Sequence, residues 1–108
     1  MNNKFKGGAN IDLGQRQYGM KRVRATYPFG SAIVYPDYVE LSVSKRFLPR
    51  SLPLPLRLHR ESIRIFLRHG PLKRGVGFRT ESTTHYFLTL RPERLMKTLR
   101  GFGYEETD

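Results

Sequence analysis

The chain has 108 residues, with 20 lysines and arginines against 9 acids, no cysteine and no tryptophan. That length suits one domain able to bury its own core. The missing cysteine excludes disulfides, iron–sulfur clusters, thiolate zinc sites and thiol catalysis, and fits a reducing compartment.

The formal net charge is +11, and it is unevenly spread. From Leu41 to Tyr104 the only acids are Glu61, Glu81 and Glu93, set against fourteen lysines and arginines. Such a field attracts polyanions: nucleic acid, an anionic membrane or an acidic protein. A basic surface with no polyanion partner has the same composition, so charge alone does not choose. No apolar run reaches the roughly 18–20 residues of a membrane span, and the N-terminal residues contain no signal-like apolar stretch, so a cytoplasmic protein is expected.

In chain order, residues 1–18 are rich in Asn, Gly and Gln, with only Phe5, Ile11 and Leu13 able to pack, and read as a flexible arm. Residues 19–26 (GMKRVRAT) alternate imperfectly and suggest a first strand. Tyr27-Pro28-Phe29-Gly30 is turn material. Residues 31–35, Pro36-Asp37 and residues 38–43 read as a hairpin, with Val39, Leu41 and Val43 on one face.

Residues 52–68 (LPLPLRLHRESIRIFLR) read as two amphipathic strands. Leu52, Leu54, Leu56 and Leu58, then Ile63, Ile65 and Leu67, form the apolar face. Pro53 and Pro55 place the first strand at a sheet edge, and Arg60-Glu61-Ser62 forms the turn. A helix over residues 60–68 would stack Arg60, Arg64 and Arg68 at four-residue spacing. The strand reading is preferred, because the segment is short, carries Ile63 and Ile65, and stops at Gly70-Pro71.

Residues 75–80 and 84–90 are two further strands. Pro92 opens an amphipathic helix with Leu95, Met96, Leu99 and Phe102 on its stripe and Gly101 and Gly103 as stops. Residues 105–108 read as a frayed acidic tail. The expected fold is mostly β (α+β): a strongly bent antiparallel sheet or barrel of about seven strands, capped by one C-terminal helix.

This order of elements resembles a pleckstrin-homology-like domain of the PH/GRAM type, as found in small bacterial proteins. The resemblance is carried by Tyr27-Pro28-Phe29-Gly30, the hairpin Ala32–Val43, the strand Ser62–Phe66, Gly75-Val76-Gly77-Phe78, and the close from His85-Tyr86-Phe87 through Pro92, Leu95-Met96 and Leu99 to Gly103-Tyr104. It covers about residues 19–104, taken as the domain. It implies a binding or scaffold module, not an enzyme. The loop after the first strand lacks the cations that lipid-binding members gather there, and the last helix lacks a tryptophan, so a phosphoinositide site is not implied.

Catalytic patterns are sparse. His59, His69 and His85 are not at metal-motif spacing, and Glu61, Glu81 and Glu93 stand isolated among cations. Ser82-Thr83-Thr84 beside His85 reads better as a turn than as a nucleophile and base. Gly75-Val76-Gly77 lacks phosphate-loop spacing. No cofactor or metal is expected.

The basic residues are the main signal. Arg57, His59, Arg64 and Arg68 are expected to share a sheet face with Arg60 at its turn, continued by Lys73, Arg74 and Arg79, while Lys45, Arg46 and Arg50 form a second cluster. Phe66 is the candidate aromatic contact. The expected partner is a protein, with self-association through sheet edges or the Phe66 face, or an anionic ligand. Nucleic acid and anionic membrane lipid are the alternatives.

Overall fold

The computed structural model describes residues 3–17, 20–44, 54–68 and 74–107. Seven strands make one antiparallel sheet: β1 (Lys4–Gln17), β2 (Met20–Val34), β3 (Tyr38–Val43), β4 (Leu56–His59), β5 (Arg64–Arg68), β6 (Gly75–Arg79) and β7 (Thr84–Leu88). Among the described residues one α-helix, α1 (Pro92–Gly101), follows. The strand order is β4-β3-β2-β1-β7-β6-β5. β4 and β5 are consecutive in the chain, joined through a short 3-10 turn at Arg60–Ser62, yet they form the two opposite edges of the sheet. A sheet whose two edges are joined that closely must curl into a half-barrel. This is the expected class, a bent mostly-β sheet with one C-terminal helix.

The core lies on the concave side. In β3 every second residue is buried, and Val39, Leu41 and Val43 face inward beside Val34, Ile63, Ile65, Val76, Phe78 and Phe87. α1 lays Leu95, Met96 and Leu99 onto them. Its start carries Pro92 and Glu93 and its last turn Arg100, matching the helix dipole. It closes in a Schellman arrangement. Gly103 takes a positive φ of 85° and donates to the Arg100 carbonyl, while Tyr104 donates to that of Leu99. Tyr104 is buried, and its hydroxyl donates to the Tyr35 carbonyl at 2.7 Å, pinning the helix end to the β2–β3 turn.

Four expectations change. The stretch read as an arm is β1, the strand that joins the two halves of the sheet, pairing with β2 on one side and β7 on the other. Its inward positions are Phe5, Gly7, Ala9, Ile11 and Leu13, a strict alternation hidden by small residues. Smallness is required, because the β7 backbone at Leu88 passes where a Gly7 side chain would stand.

Tyr27-Pro28-Phe29-Gly30 does not separate two strands. β2 runs through it, and Gly7 pairs with Gly30 while Ala9 pairs with Ala25. Thr26 to Phe29 therefore bulge outward opposite the single residue Gly8.

β4 and β5 do not pair, so the two halves of residues 52–68 are not a hairpin with one common basic face. The strand reading holds for Leu56–His59 and Arg64–Arg68, Leu52 and Pro53 lie outside the described residues, and β4 is an edge strand as the prolines suggested.

The acidic tail is not frayed. The Ile65 N–H donates to the Glu105 carbonyl and Thr107 N–H to that of Ile65, both at 2.8 Å, so residues 105–107 cover the outer edge of β5.

Candidate anion-binding groove

Strand pairing sets one row of side chains across the outer face. Phe66 opposes Gly77, Gly77 opposes Tyr86, Tyr86 opposes Asn10, and Asn10 opposes Arg24. Directly opposed residues share a face. The Phe66 ring lies over Gly77, in the space where a Cβ would stand, and meets Tyr86 edge-on with centroids 6.0 Å apart. The Arg68 guanidinium sits 4.4 Å from the Tyr86 centroid and that of Arg79 sits 5.2 Å from Phe66. Such stacking holds each guanidinium in place and leaves its N–H edge for an acceptor.

Beside this row opens a groove of about 720 Å³. Its floor is β1 at Gly8 and Asn10. One wall is β2 with Arg24 and the bulged Tyr27, and the other carries Arg68, Arg74 and Leu90. Among the described residues no carboxylate lines it. Arg24 and Arg74 are exposed and have no ion pair among the described residues. The rim is apolar: Tyr27 is 60% exposed and Leu90 84%, with Phe29 nearby in the bulge at 57%. Asn10, on the floor, is held by a hydrogen bond from Arg22 at 2.8 Å, and Arg22 also reaches Asp12 at 3.6 Å.

The expected site residues separate. Arg68 and Arg74 line the groove, and Arg79 and Phe66 lie on the adjoining outer face. Arg64 begins the same strand but is paired with Glu105 at 2.9 Å. Arg57 and His59 sit on β4 at the opposite sheet edge, packed around Tyr38. Arg60 is a structural residue, because its Nη1 donates to the carbonyls of Pro36 at 3.2 Å and Phe102 at 3.0 Å. Lys45, Arg46, Arg50, His69 and Lys73 lie outside the described residues.

Arg24, Tyr27 and Leu90 were not among the expected site residues. Alternation in Arg22-Val23-Arg24-Ala25 was enough to turn both arginines outward. Placing Arg24 beside Arg68 required knowing that β1 lies between β2 and β7.

His85 is buried on the inner side of β7. Its Nδ1 accepts the Asp12 backbone N–H at 3.0 Å, which puts the ring proton on Nε2, facing Thr83 Oγ1 at 3.0 Å. Thr83 and Thr80 hydroxyls are 2.7 Å apart, and Thr80 Oγ1 also accepts the Thr83 N–H. These hydroxyls are occupied in closing the β6–β7 turn. Burial holds the imidazole below its ordinary pKa; the Asp12 charge opposes that shift and Arg22 adds to it. Among the described residues no three His, Asp or Glu side chains gather as a metal site, and no helix is long and apolar enough to cross a membrane.

Comparison of the chain with protein families, with curated proteins and with solved structures found no match in any of the three.

Proposed function

We propose that the chain is a non-enzymatic, pleckstrin-homology-like binding module whose ligand is anionic and sits in the groove between Arg24 and Arg74. The curled seven-stranded sheet with a single C-terminal helix is compatible with that fold type. One observation carries the functional reading: Arg24, Arg68 and Arg74 line one groove that, among the described residues, no carboxylate enters. Unlike charges at scattered surface sites, these can act together on one ligand, each through hydrogen bonds of about 1.5–3 kcal/mol to a charged acceptor. Titration calorimetry with inorganic tripolyphosphate tests it. Binding is expected in the wild type and is lost at least tenfold in Arg24→Ala/Arg74→Ala. Equal affinity in that variant rules the groove out.

A protein partner is the second reading, favoured by the outer edge of β4, which has no strand partner among the described residues. Light scattering across a concentration series tests the self-associating form, and a monomer throughout rejects it.

A further inference from the structure

The cationic surface extends past the groove. From Arg68 and Arg74 at the rim it continues down the outer face of β5 and β6 to Arg79 and Arg64, which oppose one another in the register. Arg68 and Arg64 are four residues apart on one strand, about 13 Å. Between them lie the ring–cation pairs Arg68–Tyr86 and Arg79–Phe66. Two of the carboxylates bordering this face are already engaged, Asp12 by Arg22 and Glu105 by Arg64, while Glu81 stands in the turn beyond Arg79. A compact anion would fill the groove alone and leave the β5–β6 cations unused. A bilayer would meet the apolar rim and not the convex sheet face behind it. A linear polyanion uses both parts. Tyr27, exposed at the rim, adds an open ring face on which a planar base can stack.

We infer that this track binds single-stranded nucleic acid, phosphates along Arg24, Arg74, Arg68 and Arg79 and a base against Tyr27. The inference rests on the anionic-ligand reading of the groove. It makes recognition depend on backbone charge and stacking, with little base selectivity.

Fluorescence anisotropy with a labelled oligothymidylate of about a dozen nucleotides, within the range single-strand binders cover, provides the test. Four engaged cations give a log–log salt slope of about −3. Arg24→Ala/Arg74→Ala is expected to flatten that slope by about 1.4. Tyr27→Ala is expected to weaken binding about tenfold with the slope unchanged, and Arg57→Ala, on β4 at the opposite sheet edge, to leave it as in the wild type. All substituted side chains are exposed, and a thermal melt verifies the fold of each variant. Tripolyphosphate binding without oligothymidylate binding overturns the nucleic-acid inference and leaves the anion groove standing. An unchanged slope in the double variant overturns the track. So does tighter binding to phosphatidylcholine–phosphatidylserine vesicles that Leu90→Ala abolishes, which would make the rim a membrane contact.

Discussion

The Asp12 backbone N–H donates to the imidazole Nδ1 of His85, a side chain standing in for a ladder partner where β1 and β7 part. The β1–β7 ladder itself spans only Gly8–Asn10 against Tyr86–Leu88, so this bond extends a short seam. Protonating Nδ1 would set two donors against each other.

Stability should therefore depend on His85. Its folded pKa is depressed below 6.5, mainly by burial, so the unfolded chain binds more protons in that range. The contribution is complete above the unfolded value and is lost as pH falls through 6.5 toward the folded value, with a slope of at most about 1.4 kcal/mol per pH unit. Urea denaturation at pH 7.5, 6.5 and 5.5 is expected to show that decline. His85→Asn, which keeps an acceptor but does not titrate there, should flatten it; an equal decline in the variant would assign the effect elsewhere.

Phe66 and Gly77 are coupled sterically. Gly77→Ala drives a methyl into the Phe66 ring and is expected to destabilise by about 1–3 kcal/mol. In a Phe66→Ala background the same change should cost much less. A double-mutant cycle with no interaction energy would contradict the packing.

The Tyr104 phenol is pushed up to about 12, first by burial, with Arg60 opposing and Asp37 assisting. A raised folded value means the stabilisation is full below about pH 10 and is lost as pH rises toward 12. Ultraviolet titration should show one tyrosine ionising late, and Tyr104→Phe should remove that step. The same variant loses the bond to Tyr35 and about 0.5–1.5 kcal/mol.

The acidic tail protects a sheet edge. Removing residues 105–108 takes away the carbonyl that accepts the Ile65 N–H. Amide hydrogen exchange at Ile65 should accelerate markedly, while that at Phe78, inside the sheet, stays slow. Unchanged protection at Ile65 would mean the tail does not hold that edge.

What was legible in the sequence follows from where the information lies. β3 and α1 announce themselves locally, by Val39-Leu41-Val43 at period two and by Leu95, Met96 and Leu99 at helical spacing between Pro92 and Gly103. β1 does not, because its inward positions include Gly7 and Ala9. Their small size is dictated by the neighbouring strand, and local hydropathy does not register it. Losing β1 hid the order of the sheet, and with it the meeting of Arg24 with Arg68 and Arg74. The structural bonds of Arg60 were hidden for the reverse reason. Nothing in residues 60–62 signals that its guanidinium will be taken by carbonyls 24 and 42 residues away.

Side-chain NMR of the arginine guanidinium groups during titration with tripolyphosphate is the most direct measurement of the groove itself. Arg24, Arg68 and Arg74 are expected to shift together, with the Gly8 amide on the floor following them, while Arg57 and Arg60 stay in place. Shifts confined to Arg57 and its neighbours on β4, with Arg24 and Arg74 unmoved, would contradict that expectation.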